Sequence, residues 1–418
     1  MKILILATDV FTHGGIARYT SALGSALGGM IGAEHVDVLS FFDWGGQDSR
    51  PTEFRFLGAV SDRPRAGIFS RLHFLLKIGS LSPGKYDLVI ANHVALAPVA
   101  ALIKLIFGTP YWVVCHSVEV WWGTSRVRHA ALKKADLILP VSRYTADTIC
   151  SMSDIPDSRV KLLYNAIPAS FSRLLESSEL DSTPIPMLKN GGPVLLSVCS
   201  LAPENEFKGV DTVIRALPEI LQMVPKARYA VVGAGALRAK LEELAYATGV
   251  AESVCLLGEV SDIELAALYR ACDLFVLPSR GQEKCGQDGG EGFGRVYIEA
   301  ALAGKPVIGS QFGGAAEAVV PGRTGLLVNP QSIAEVSGAA LTLLKDPELA
   351  ASLGSEGRKW ARELFSEDAL HRWLAALLQI QGFSLPAIPS DLDRRAEGRF
   401  SSVVGPSQAR LARFEAES

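Results

Sequence analysis

Two series of short, largely apolar runs restrict this chain to very few architectures. The first series is Ile3–Ala7, Val36–Ser40, Leu88–Ala91, Tyr111–Cys115 and Leu137–Val141. The second is Val194–Val198, Tyr229–Val232, Val254–Leu257, Leu274–Leu277 and Pro306–Ile308. A strand wetted on one face alternates apolar and polar residues, whereas one covered on both faces is apolar throughout. Helix-period segments separate the runs. Val213, Ile214, Leu217, Ile220, Leu221 and Val224 form one stripe, and Leu370, Trp373, Leu374, Leu377 and Leu378 another. Ser261-Asp262-Ile263-Glu264 reads as a capping box, and Ser366 as a cap. Buried strands alternating with helices predict the α/β class, with parallel sheets covered on both faces.

The 418 residues are enough for two domains, and a hydrophobic content of 48% excludes disorder over most of the chain. Ser170–Pro193, rich in Ser, Glu, Pro and Gly, reads as their connection. The expected division is a first domain over 1–175, a second over 190–365, a last helix within 366–382, and an aperiodic tail over 383–418. Net charge is −3, which excludes a general nucleic-acid binder. The charge is unevenly spread: residues 1–173 hold 18 Lys/Arg against 13 Asp/Glu, and the remainder is acidic. The six cysteines show no metal-ligand spacing and sit largely in apolar runs, as expected of a reducing compartment. The first apolar run is too short for a signal peptide, and Leu88–Ile103 and Trp373–Ser390 are too interrupted to span a membrane. A cytoplasmic protein is therefore expected.

Open parallel sheets bind ligands beyond the carboxyl ends of their strands. Four segments there carry chemistry. Glu291-Gly292-Phe293-Gly294-Arg295-Val296-Tyr297-Ile298-Glu299 places two carboxylates just over two helical turns apart, with glycines between that let backbone amides approach an anion or a sugar hydroxyl. Lys208-Gly209-Val210-Asp211 opens a helix with a cation suited to phosphate. Gly14-Gly15 follows the first strand and opens another helix, with Arg18 close behind. His116 follows the Tyr111–Cys115 run, whereas the other six histidines fall into no pattern. Gly233-Ala234-Gly235 lacks the third glycine of a dinucleotide fingerprint and reads as a strand-to-helix turn, not an NAD site.

In order, several pieces resemble the retaining family-four (group 1) glycosyltransferases with the GT-B fold. They are Phe207-Lys208-Gly209, Val232-Gly233-Ala234-Gly235, Leu257-Gly258-Glu259-Val260, Asp273–Ser279, the Glu-x7-Glu segment and Gly322–Val328. They cover roughly 195–330. The resemblance implies two Rossmann-like domains facing across a cleft, with the C-terminal helix crossing back to the first. It implies a hexose moved from a UDP- or GDP-linked donor to a saccharide or lipid-linked saccharide acceptor in cell-envelope or exopolysaccharide biosynthesis. By this resemblance Glu291 stabilises charge at the anomeric carbon, and Gly292, Phe293 and Gly294 offer amides to hydroxyls and phosphate. Glu299 holds the ribose, Lys208 neutralises the leaving diphosphate, and backbone near Val260 reads the base. Gly15 lets the chain approach the diphosphate, and His116 reaches the donor sugar or acceptor. No cofactor and no metal are implied.

Two departures stand out. Ser200 occupies the position where the family commonly has an Arg on the diphosphate, and Gly281–Gly290 forms an unusual glycine-rich loop. Ser200 keeps open a catalytically weak nucleotide-sugar-binding protein, and a sugar-nucleotide 2-epimerase, which shares the implied fold, is the other alternative. Finally, Arg63, Arg65, Arg71, His73 and Lys77 interleave with Ile68, Phe69, Leu72, Phe74, Leu75 and Leu76, and Arg126, Arg128, His129, Lys133 and Lys134 form a second basic group. Such patterns suit either an ordinary amphipathic helix or peripheral contact with the anionic inner face of a plasma membrane.

Overall fold

The structure, a computed structural model, describes residues 1–11, 14–43, 52–61, 67–121, 123–152, 154–183, 185, 191–284 and 287–385. It divides into two compact units, Met1–Ala166 with the chain from Glu367 onward, and Ile167–Ser366.

The first unit holds a six-stranded parallel sheet built from β1 (Ile3–Ala7), β2 (Val36–Phe42), β3 (Arg55–Ser61), β4 (Leu88–Ala91), β5 (Tyr111–Cys115) and β6 (Leu137–Pro140). The strand order is β3-β2-β1-β4-β5-β6. Ile5 pairs with Val38 on one side and Ile90 on the other, so β1 is central. Its five residues are all buried, as the continuous apolar run requires. The helix Glu367–Ile380 packs on the helix Gly15–Ile31 in this unit.

The second unit repeats the plan with β7 (Val194–Val198), β8 (Arg228–Val232), β9 (Val254–Gly258) and β10 (Leu274–Val276). After the hairpin β11 (Gln282–Lys284) and β12 (Gln287–Gly289) come β13 (Val307–Ser310) and β14 (Gly325–Val328). Its sheet order is β14-β13-β10-β7-β8-β9, again all parallel. A core around Leu195, Val213, Leu217, Tyr229 and Val276 lies between this sheet and the helix Val210–Met223. The chain enters the unit at Ile167 and leaves at Ser366, and these two residues form a parallel bridge.

All ten predicted runs are strands, with ends shifted by no more than two residues. Two further strands of these sheets, β3 and β14, were not among the predicted runs; each is a sheet edge and only partly buried. Two expectations need correction. The glycine-rich Gly281–Gly290 segment is not simply a loop, since its backbone pairs Gln282 with Gly289 and Lys284 with Gln287. The connecting stretch Ser170–Pro193 is structured at its start, where the helix Ala169–Glu176 buries Phe171 and Leu175, and a 3-10 turn follows over Ser178–Ser182. The tail expected over 383–418 lies outside the described residues from 386 onward, as do His13, Arg63, Arg65 and Cys285.

Candidate active site

In each sheet the strand order reverses at one place, between β1 and β4 in the first and between β7 and β10 in the second. Loops leaving the two strands at such a switch point diverge to opposite faces and leave a crevice. Lys208 and Glu291 follow the strands of the second point and Gly15 follows a strand of the first, whereas His116 comes after β5 and Val260 after the edge strand β9.

In the second unit, Lys208 comes from the turn after β7 and Glu291 from the segment after β10. Their side chains form an ion pair, Lys208 Nζ to Glu291 Oε2, with 17% and 12% of each exposed. Lys208 also lies 5.0 Å from the ring of Phe207. Its turn is held from behind. The Arg280 guanidinium donates to Asp211 Oδ2 at 2.8 Å, to Thr212 Oγ1 at 3.1 Å and to the Glu206 carbonyl at 2.6 Å. Gly209 closes the turn at φ +79, and a Cβ there would stand 2.1 Å from the Pro278 carbonyl oxygen. Only glycine fits both the left-handed backbone and the contact.

The Glu291–Gly294 segment is fixed from two sides. Phe293 is 2% exposed and meets Phe365 edge-on at 5.2 Å, so its side chain is an anchor for the loop. The turn after β13 reaches over the loop, with the Gly314 N–H donating to the Glu291 carbonyl at 2.8 Å. Gly294 then caps the helix Arg295–Leu302. Glu299, one turn into that helix, is buried. Its Oε2 accepts from the Tyr269 hydroxyl at 3.0 Å, and its Oε1 from Arg295 at 3.3 Å. The two carboxylates therefore have separate partners, Lys208 for one and Arg295 with Tyr269 for the other. Val260 is half-buried after β9. Ser200 is exposed after β7, where its hydroxyl accepts the Ala202 N–H at 3.3 Å. The Gly233–Gly235 turn packs on that same stretch, with the Leu201 N–H on the Ala234 carbonyl at 2.9 Å. This contact between backbones explains the paired glycines without a dinucleotide.

Gly15 and His116 belong to the first unit. Gly15 is exposed and begins the helix that follows β1. His116 is 7% exposed after β5. Its Nε2 is 2.9 Å from the Asn92 carbonyl, and its own N–H donates to Glu119 Oε1. Burial lowers the pKa of its imidazole, which keeps the ring neutral. Sequence reading overlooked four participants. Arg295 was visible as an i, i+4 partner of Glu299. Arg280, Tyr269 and His93 left no local signal, since each meets its partner only through the fold. Among the described residues there is no group of His, Cys, Asp and Glu side chains that could hold a metal ion.

Twin doubly wound sheets of one strand order, each with its loops gathered at the switch point, define the GT-B class. Residues 183–360 match the family model of glycosyl transferases group 1, and residues 13–171 match that of glycosyltransferase family 4. A GDP-mannose-dependent alpha-(1-6)-phosphatidylinositol monomannoside mannosyltransferase of Mycolicibacterium smegmatis is 33% identical over 292 residues, which cover 66% of this chain and 73% of that protein. A Mycobacterium tuberculosis protein of the same description is 29% identical over 397 residues, covering 91% and 98%. The crystal structure of Anabaena Alr3699/HepE with UDP and glucose superposes with a TM-score of 0.73 at 22% identity, covering 91% of this chain and 100% of that one. The chain belongs to the family 4 (group 1) glycosyltransferases.

Proposed function

We propose that this glycosyltransferase moves mannose, with retention of anomeric configuration, from GDP-mannose to a saccharide acceptor carried on a lipid such as a phosphatidylinositol mannoside. The ion pair of Lys208 and Glu291 at the second switch point is the observation that carries this reading. A pyrophosphate arriving there offers Lys208 a new anion, which frees Glu291 to face positive charge growing at the anomeric carbon. The segment Gly292-Phe293-Gly294 at the N-terminus of the helix Arg295–Leu302 receives phosphate and hydroxyl oxygens. Glu299, held by Arg295 and Tyr269, accepts from ribose hydroxyls. Backbone near Val260 meets the base, Gly15 leaves room for the diphosphate, and His116 accepts from a sugar hydroxyl. The leaving phosphate takes the acceptor proton on the same face, which gives retention. GDP-mannose is favoured over a UDP-sugar because the curated relatives above depend on it.

Contact with an anionic membrane is part of the reading. The helix Ile68–Ser80 buries Phe74 and Ile78 but leaves Ile68, Phe69, Leu72, Leu75 and Leu76 exposed, Phe69 by 85%. Arg71, His73 and Lys77 lie on the same helix, a composition suited to an interfacial position. The second basic group is a weaker candidate, because His129 and Lys133 both pair with Asp154 at 2.9 Å. No helix among the described residues is long and apolar enough to cross a membrane.

Thermal unfolding in the presence of GDP, UDP, ADP, dTDP and their sugars tests the donor. A ligand at a hundred times its dissociation constant stabilises by about 2.7 kcal/mol. Only GDP and GDP-mannose should produce that shift. Glu291→Gln should keep it and lose about 100- to 1000-fold in transfer rate. Near wild-type transfer by that variant would remove Glu291 from the mechanism, and a β-linked product would remove retention.

A further inference from the structure

His93 leaves β4 at the switch point of the first sheet, beside the segment that leaves β1. Its ring stacks on His116, with centroids 6.2 Å apart and planes inclined by 22°. Backbone contacts set the tautomer of each ring. The Ala95 N–H donates to His93 Nδ1 at 3.0 Å, so that nitrogen presents its lone pair and the ring proton sits on Nε2. His116 Nε2 faces the Asn92 carbonyl at 2.9 Å; a carbonyl only accepts, so the proton is on Nε2 and Nδ1 is bare. Burial lowers both pKa values, that of His93 to about 4, so the rings are neutral at physiological pH. One ring thus has an N–H to give and its neighbour has a lone pair, and among the described residues neither nitrogen has a hydrogen-bond partner.

The surroundings carry the same signature. Tyr19 is fully buried, sits edge-on to His116 at 5.4 Å, and its hydroxyl has no partner among the described residues. Burial holds that phenol far above its ordinary pKa, so it remains a neutral hydroxyl. Asn92 donates its amide to Thr20 Oγ1 at 2.7 Å, while its Oδ1 is buried without a partner. Buried polar atoms are rarely left unpaired, and a cluster of them at a switch point marks a place that a ligand completes.

We propose that His93 is a substrate-binding residue which, with the bare nitrogen of His116, holds one hydroxyl of a sugar. A hydroxyl donates and accepts at once, so it satisfies the N–H of His93 and the lone pair of His116 together. A carboxylate or phosphate oxygen can only accept and would face the lone pair of His116. An ammonium can only donate and would face the N–H of His93. The pair therefore selects neutral polyols over ions. The hydroxyl belongs either to the donor hexose or to the acceptor saccharide, and for its substrates the assay rests on the function proposed above.

Two substitutions separate this role from a structural one. His93→Asn places an amide oxygen where Nδ1 accepts the Ala95 N–H, so it keeps the local turn but does not reach the substrate. His93→Gln places an amide N–H where Nε2 stood. With GDP-mannose and a phosphatidylinositol mannoside, His93→Asn should lower kcat/KM by about ten- to a hundredfold while its melting temperature stays near wild type, and His93→Gln should recover most of the loss. A change in donor KM that persists in acceptor-free hydrolysis assigns the hydroxyl to the donor hexose, and a change confined to acceptor KM assigns it to the acceptor. Unchanged kinetics in both variants, or losses that track melting temperature in both, overturn the proposal. Should the wild type transfer nothing from GDP-mannose, the donor assignment fails and the tautomers still decide this one. Long-range proton–nitrogen spectra at pH 7 should show both imidazoles neutral with protonated Nε2, and a charged His93 or one protonated on Nδ1 refutes it.

Discussion

Acid should weaken the first unit through His93 by an amount that the structure sets. The ordinary imidazole pKa is 6.5, and burial takes that of His93 to about 4. Glu119 and Asp9 face the ring and favour its charged form, His116 and Arg128 oppose it, and burial outweighs them all. A histidine with a depressed pKa binds its proton more readily in the unfolded chain. Its contribution is therefore fully present above pH 6.5 and is lost as pH falls through 6.5 towards 4. At about 1.4 kcal/mol per pH unit the complete loss is about 3 kcal/mol, of which about 2 kcal/mol has gone by pH 5. Urea unfolding of the full chain at pH 7.5 and 5.0 measures it. The fluorescence of Trp112 and Trp121, both buried in the first unit, reports on that unit. His93→Asn keeps the backbone hydrogen bond and removes the titrating ring, so every other acid-sensitive group is common to the two proteins. The wild type should lose about 2 kcal/mol more than the variant between the two pH values. If the two proteins lose the same stability to within about 0.5 kcal/mol, His93 is not held neutral by burial and the tautomer argument built on it falls.

Three further outcomes follow from the same geometry. Arg295→Met takes the charged partner from the buried Glu299 carboxylate, and chemical denaturation should show a loss of about 3 kcal/mol. Gly314→Ala puts a Cβ 2.1 Å from the Gly292 carbonyl oxygen; the loop must move, so the nucleotide-induced thermal shift should disappear although the protein still folds. Replacing Phe69 and Leu72 by Ser removes apolar area from the exposed face of the helix Ile68–Ser80, and co-sedimentation with phosphatidylglycerol vesicles should fall at least tenfold with transfer to a detergent-solubilised acceptor unchanged.

The sheets were legible because a strand covered on both faces has no alternative composition. Every interior strand of either sheet was legible as a largely apolar run, as were the edges β6 and β9, and the sheet strands that escaped notice are the other two edges, β3 and β14. Much of the second switch point was legible for a different reason. Its glycines and charges crowd into short stretches, because a loop that must wrap an anion needs consecutive amides and small residues. What stayed hidden is the support behind them. Arg280 steadies the Lys208 turn across 69 residues of sequence from Asp211, and Tyr269 reaches Glu299 from another helix.

In the first unit Gly15 and His116 were legible but His93 was not, and its chemistry explains why. A site for anions shows itself by charge, and charge is written in the residue letters. His93 and His116 are neutral, and what distinguishes them is the nitrogen that carries the proton. The Ala95 amide and the Asn92 carbonyl decide that, and every residue has such groups. The two sheets share one strand order, so the contrast between them is chemical. The second surrounds its crevice with Lys208 and Glu291, which suits a diphosphate and a developing cation. The first brings neutral donors and acceptors of His93, His116, Tyr19 and Asn92 together, which suits hydroxyls. A charged residue at position 93 would pay the full desolvation cost and recognise the wrong ligand, so His93→Asp should bind a sugar worse than His93→Asn despite its greater hydrogen-bonding strength.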